Sequence, residues 1–265
     1  MLEYDRIGFY VRKTVKRGVI MKYKKLKSGL IIFLTLIVMI GIGGYTWVNQ
    51  TYAPTDELFS LVSESSYEKI DDFYVFNRQD SQAEVGIVLY PGALVEPLSY
   101  AYYAQELAKQ GYLVAIAEVT LNLSIVDNEK AEQFILAHEE IESWYVAGHS
   151  MGGVSATTYA ANHLDEIEGV ILLGSYPASS TDLSGADLNV LSLYAEHDGL
   201  STEEKILAKE GNLPSTTSYV KILGGNHAQF GMYGEQSRDG VATISVLDQQ
   251  NEMINQTLQF LKQRK

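Results

Sequence analysis

Apolar positions along the chain fall into two kinds of run. Residues 30–48 are nineteen in a row without a charge, opening Leu-Ile-Ile-Phe-Leu-Thr-Leu-Ile-Val-Met-Ile. As a helix rising ~1.5 Å per residue they span about 28 Å, close to the ~30 Å hydrocarbon core of a bilayer. Beyond residue 70 the runs are shorter and alternate in kind. Apolar, β-branched runs at 85–90, 112–117, 144–147, 170–173, 190–194 and 219–223 read as strands. Between them, 98–110, 128–138, 151–163 and 202–211 read as helices, and 246–261 sets Leu247, Ile254, Leu258 and Leu261 on one helical face. The stretch 72–77 reads as an added edge strand. Near-continuous apolar strands alternating with helices imply an α/β fold, a mostly parallel sheet with helices on both faces. Residues 49–70, polar and mixed with Pro54 and a Ser-Glu-Ser-Ser run, read as a tether. The expected organisation is a basic segment 1–28, a transmembrane anchor 29–48, a tether 49–70 and an α/β domain 71–265.

Charge sharpens that division. The 265 residues carry a formal −13, but residues 1–28 hold nine Lys/Arg against two Asp/Glu, and 29–265 hold eleven against thirty-one. So acidic a domain is repelled by phosphate backbones, which argues against nucleic acid as a partner. Lys22, Lys24, Lys25 and Lys27 precede the apolar run, Asp56 and Glu57 are the first charges after it, and Tyr45, Trp47 and Tyr52 sit where an interfacial belt would. The positive-inside rule then expects a cytoplasmic N-terminus and an extracellular domain on a single-pass anchor. The rival is a secreted chain cut after a signal peptide. Its nearest small-x-small site, Thr51-Tyr52-Ala53, is followed by Pro54, which disfavours cleavage. Met21 opens Met-Lys-Tyr-Lys-Lys and reads as a natural start, so 1–20 are expected to be an upstream extension. The chain has no cysteine, which excludes disulfides, thiolate nucleophiles and Cys-ligated metal centres.

One motif carries chemistry. The strand run Trp144–Ala147 leads into Gly148-His149-Ser150-Met151-Gly152-Gly153, and a helix-like run follows. This is G-x-S-x-G in the strand–turn–helix setting that gives it meaning: a turn so tight that the flanking positions have no room for side chains, thrusting a serine out at a helix N-terminus. A nucleophilic serine needs a base, and the base an orienting acid. Asp198, in Ala-Glu-His-Asp-Gly, and His227, in Gly-Gly-Asn-His, each follow an apolar strand at the edge where Ser150 would emerge. The other candidates read differently. His138 and His163 suit solvated helix surfaces, and His149 is the variable elbow residue, expected to point away from a reacting carbonyl. His197 adjoins Asp198 too closely in sequence to be oriented by it. Glu196 and Asp182 are alternative acids. The run 85–90 ends in Pro91-Gly92-Ala93-Leu94, where a glycine lets the backbone curl, and the amides of Ala93 and Met151 are the expected oxyanion donors.

At these residues the chain resembles the α/β-hydrolase family, most of all its compact bacterial branch of dienelactone hydrolases and carboxylesterases. The resemblance covers roughly 72–265, on Tyr-Pro-Gly-Ala-Leu-Val-Glu-Pro (90–97), Gly-His-Ser-Met-Gly-Gly (148–153), His-Asp-Gly (197–199) and Gly-Gly-Asn-His-Ala-Gln-Phe-Gly (224–231). It implies Ser150 as nucleophile, Asp198 as acid and His227 as base. Pro91 stands where many members have the histidine of a His-Gly oxyanion motif. Only 176–189 intervenes where many members insert a lid, too short for a multi-helix cap, and 230–240 is long enough to line one wall. The expected activity is a serine esterase acting on a small-molecule ester, with no cofactor and no metal. An acyltransferase with the same triad and an envelope acceptor is the alternative enzyme. A non-catalytic surface binding protein on the same scaffold is the alternative of another class.

Overall fold

The computed structural model describes residues 25, 27, 28, 30–46, 50–77 and 83–263. The chain divides into two units, 1–50 and 51–265. In the first, helix α1 runs over 30–46, and its large apolar side chains, from Leu30 to Ile42, are exposed. Among the described residues no helix is long and apolar enough to cross a membrane. Residues 1–24, with Met21 and most of the basic segment, lie outside the described residues, as do Trp47 and Val48.

The second unit is built on strands β1 (Glu68–Ile70), β2 (Phe73–Phe76), β3 (Val85–Tyr90), β4 (Leu113–Ala117), β5 (Ser143–His149), β6 (Ile167–Leu173), β7 (Asn189–Ala195) and β8 (Ser218–Ile222). They form one sheet in the order β1-β2-β4-β3-β5-β6-β7-β8. From β3 to β8 every pairing is parallel, and only β1–β2 and β2–β4 are antiparallel. Its helices are α2 (Asp56–Leu61), α3 (Ala101–Lys109), α4 (Lys130–Leu136), α5 (Met151–Asn162), α6 (Glu203–Leu207) and α7 (Val246–Gln263).

Strand periodicity divides the core in two. Along β3, Ile87 and Leu89 face one side, where Leu58 of α2, Leu107 of α3 and Phe260 of α7 pack. Val88 and Tyr90 face the other, against Phe134 of α4 and Tyr159 of α5. Both faces are covered, as the near-continuous apolar strands require. The expected parallel sheet between two helical layers is the observed fold. The loop 174–188 holds no helix, so no helical cap is inserted between β6 and β7.

Two expectations change. The strand expected over 72–77 forms as β2, but β1 pairs outside it and takes the edge. Residues 49–70 are not a free tether, because from Thr51 the chain is part of the second unit. Tyr52 N–H donates to Leu94 O at 2.7 Å and Glu96 N–H to Tyr52 O at 3.0 Å. Leu58 and Val62 are buried. The apolar contacts of this segment are few and irregularly spaced, so no period marks it as structured.

Parallel strands present their C-terminal ends at a single edge, and this positions the site. Tyr90 is in register with Gly148, His149 with Leu173, and Ala195 with Ile222. The turns after β3, β5, β6, β7 and β8 therefore meet along one rim.

Candidate active site

Ser150 links β5 directly to α5 with φ 52° and ψ −121°. A non-glycine residue in such a region costs ~1–3 kcal/mol and persists only where its surroundings over-determine it. Here they do. Ser150 N–H donates to Leu173 O at 3.1 Å, and Ser150 O accepts from Gly153 N–H at 3.1 Å and Ser175 Oγ–H at 2.5 Å. The turn is closed sterically as well. A Cβ on Gly148 would strike the Gly152 carbonyl, and one on Gly152 would strike the carbonyl of Tyr90. The second approach seats the start of α5 on the end of β3, joining the elbow to the Pro91–Leu94 turn.

Asp198 follows β7 and His227 follows β8. His227 Nδ1 lies 2.7 Å from Asp198 Oδ2, with Asp198 4% and His227 0% exposed. The other carboxylate oxygen accepts from Leu200 N–H at 2.8 Å and Ser201 N–H at 2.6 Å. A carboxylate held this way only accepts, so Nδ1 carries the imidazole proton and Nε2 the lone pair. Nε2 is buried and has no hydrogen-bond partner among the described residues, Ser150 Oγ included. The His227 ring stands beside the elbow, its centroid 4.5 Å from that of His149. The structure thus pairs Asp198 with His227 and sets the His227 ring against His149, the residue before Ser150, while Ser150 itself is not bonded to His227.

The turn after β3 supplies two contrasting amides. Leu94 N–H is taken by Asn122 O at 2.7 Å. Neither Ala93 N–H nor Met151 N–H donates to any described group. Ala93, Ser150 and Met151 are each partly buried. Met151 heads a helix whose free amides and dipole favour negative charge there. Pro91 keeps its carbonyl bonded to Ser124 Oγ–H at 2.6 Å, which secures the turn from its other side.

The competing residues go elsewhere. Glu196 Oε2 accepts from Gly224 N–H at 2.8 Å and Asp182 Oδ1 from Ser184 N–H at 3.0 Å, both away from His227. His197 stays near Glu196 at 4.0 Å. His138 and His163 are not the solvated residues expected. His138 packs 4.1 Å from the Phe134 ring centroid, and His163 stacks on Tyr159 at 4.2 Å while Glu129 bonds its Nε2 at 2.8 Å.

His149 also differs from expectation: it is 1% exposed and lies inside the site. Its Nδ1 is 2.8 Å from Tyr100 Oη, which itself accepts from Gly92 N–H at 2.9 Å. The single phenolic proton then goes to Nδ1, leaving the imidazole proton of His149 on Nε2. Burial holds the His149 imidazole well below its ordinary value, and the neighbouring His227 adds to that. Burial pushes the Tyr100 phenol up. Both are neutral. Tyr100, Ser175 and Asp239, all bonded into this region, were missed by the sequence reading. Ser175 follows a glycine at a strand end and could have been suspected, whereas nothing local singles out Tyr100.

None of the curated proteins compared matches the chain in sequence. The family model described as the alpha/beta hydrolase family matches residues 86–251, from the start of β3 into α7. With the strand order, the elbow and its flanking helix in place, this chain belongs to the alpha/beta hydrolase family.

Proposed function

We propose that the chain is a serine hydrolase that cleaves carboxylic esters through an acyl-enzyme. The observation that carries this reading is the oriented imidazole: Nδ1–H bound to Asp198, Nε2 bearing a buried, uncommitted lone pair, and the ring against His149, the residue that precedes the elbow serine. Ser150 Oγ attacks the ester carbonyl carbon as its proton passes to His227 Nε2, and the carbonyl oxygen becomes an oxyanion facing the Ala93 and Met151 amides. Collapse breaks the bond to the alkoxy oxygen, which takes the proton from Nε2 and departs as the alcohol. Water then gives a proton to Nε2 and attacks the acyl carbon. The second collapse returns that proton to Ser150 Oγ and frees the acid. Asp198 accepts from Nδ1–H throughout and stabilises the imidazolium without taking its proton. Partly exposed Ser150, Ala93 and Met151, with no helix in the loop between β6 and β7, favour small or extended esters, in line with the dienelactone hydrolase and carboxylesterase branch.

The same proposal holds the domain on the outer side of a membrane through residues 30–48. Its support is the uncharged run behind four lysines and the exposed apolar side chains of α1. Two experiments test the reading. A fluorophosphonate probe should label the full-length chain, and Ser150→Ala should abolish labelling; a folded chain that resists the probe overturns the serine mechanism. Protease added to intact cells should remove the domain, and protection until lysis overturns the orientation.

A further inference from the structure

The two loops that carry Asp198 and His227 share a carboxylate outside the triad. Asp239 Oδ1 accepts from Gly199 N–H at 3.0 Å, His227 N–H at 3.2 Å and Gly240 N–H at 2.8 Å. Its Oδ2 accepts from Ala228 N–H at 2.8 Å. Gly199 directly follows the acid, and His227 is the base itself. The amides of Gly199, His227 and Ala228 have no other acceptor among the described residues. Each charge-assisted bond of this kind is about twice as strong as a neutral one. Asp239 itself is half-buried at the end of the long segment after β8, so this segment holds the site from behind as well as flanking it.

We propose that Asp239 is a positioning residue that sets the Asp198–His227 pair by fixing both loop backbones to one carboxylate. The inference rests on the serine-hydrolase reading for its kinetic consequence, but not for its structural one. The loops also have supports that do not involve Asp239. His197 N–H donates to Gly225 O at 2.8 Å, and buried Gln249 makes a reciprocal pair with the Asn226 backbone, Oε1 accepting at 2.9 Å and Nε2 donating at 2.8 Å. Losing the carboxylate therefore leaves the loops attached but their relative placement free. A misplacement near 1 Å costs on the order of 10²-fold in rate.

The test is Asp239→Asn in the full-length chain. An amide is nearly the same size but turns an N–H₂ group toward one of the amide donors. Two quantities are read: the rate of fluorophosphonate labelling, and the downfield proton resonance of His227 Nδ1–H. The rate should fall ~10–100-fold while the resonance shifts or broadens and the melting temperature stays near that of the unaltered chain. Asp248→Asn serves as control, since the Asp248 carboxylate caps the start of α7, accepting from Ser245 Oγ–H at 2.6 Å and Ser245 N–H at 3.4 Å, and it should move neither quantity. An unchanged resonance and labelling rate in Asp239→Asn overturn the clamp. If the variant fails to fold, hydrogen exchange in the unaltered chain decides. Slow exchange of the Gly199, His227 and Ala228 amides as a group supports the clamp, and exchange at open-loop rates overturns it. Should the resonance change in a chain that the probe never labels, the clamp stands and the hydrolase reading falls.

Discussion

The His149 ring lies against the His227 ring with 4.5 Å between centroids, and its far nitrogen is bonded to Tyr100 at 2.8 Å. Through Tyr100 Oη the contact continues to Gly92 N–H. The elbow, the base loop and the turn after β3 are thus braced by one buried polar chain. Tyr100→Phe keeps the ring and removes the oxygen, leaving the Gly92 amide and His149 Nδ1 buried without a partner. The expected loss of stability is ~1–3 kcal/mol, read by chemical denaturation, with turnover falling more than substrate affinity. Unchanged stability and turnover would mean that water replaces the phenol.

Two histidines give the domain opposite pH responses. His149 is buried and held neutral, so below about pH 6.5 the unfolded chain binds a proton that the folded chain refuses. Its contribution makes stability fall with falling pH. For His163, desolvation pulls the imidazole down, but the hydrogen bond and charge of Glu129, with Glu166, outweigh it and raise the value. The folded state there binds the proton more tightly. That contribution is fully present below about pH 6.5 and is lost as pH rises through the raised value. His163→Gln should therefore lower stability at about pH 5.5 and leave it nearly unchanged above about pH 8. Denaturation midpoints at both values check the sign, and an effect confined to alkaline pH would contradict it.

The start of the second unit offers another test, because Tyr52 is hydrogen-bonded to both sides of Val95. A chain beginning at residue 50 should fold and react like the full-length protein. One beginning at residue 56 loses the Tyr52 bonds and also the 2.9 Å bond from Thr55 N–H to Met232 O. Its labelling by a fluorophosphonate should slow, because the turn holding Ala93 is freed on one side. Equal rates for the two chains would show that the Asn122 and Ser124 bonds suffice.

The contrast between Ala93 and Leu94 makes the donor assignment testable. With Leu94 N–H committed to Asn122 O, the free amide of this turn is that of Ala93. Ala93→Pro deletes it and should cost ~10²–10³ in kcat, with KM changed far less and the melting temperature retained. A proline variant with intact turnover would place the donor elsewhere.

What the sequence made legible follows from the range of each signal. The parallel sheet, the elbow at 148–153 and the positions of Asp198 and His227 rest on contiguous patterns, an apolar strand followed at once by a glycine-containing turn. Strand ends ran past the apolar runs, as at β5 and β6, because Ser143 and Gly169 pair through backbone groups that hydrophobicity does not report. Tyr100, His149 and Asp239 act through partners 49, 49 and 12 residues away, or through a neighbour's ring, and no local pattern records that. Asp239 could have been suspected only from the unusual length of 230–240. The segment 51–70 escaped for a different reason: its anchoring side chains are too few to form a period.

The triad makes the strongest demand on the reading. Ser150→Ala should abolish probe labelling and leave the fold intact, since a partly exposed serine adds little packing and alanine keeps the backbone bonds to Leu173 and Ser175. His227→Ala should be nearly as damaging, because without a base the hydroxyl remains a poor nucleophile. It also leaves Asp198 buried without its partner, so its melting temperature must be measured alongside. Asp198→Asn should keep the two backbone bonds on Oδ1 but offer an N–H₂ group to Nδ1. The imidazole then turns to the tautomer with its proton on Nε2, where no lone pair is left for Ser150, and kcat should fall on the order of 10⁴. Glu196→Gln and Asp182→Asn should be mild, as neither carboxylate approaches His227. The three losses should not add, because the residues act as one unit, and a triple variant should resemble Ser150→Ala alone. Near-normal turnover in Asp198→Asn beside a large loss in Glu196→Gln would move the acid two residues and break the geometry on which the hydrolase reading stands.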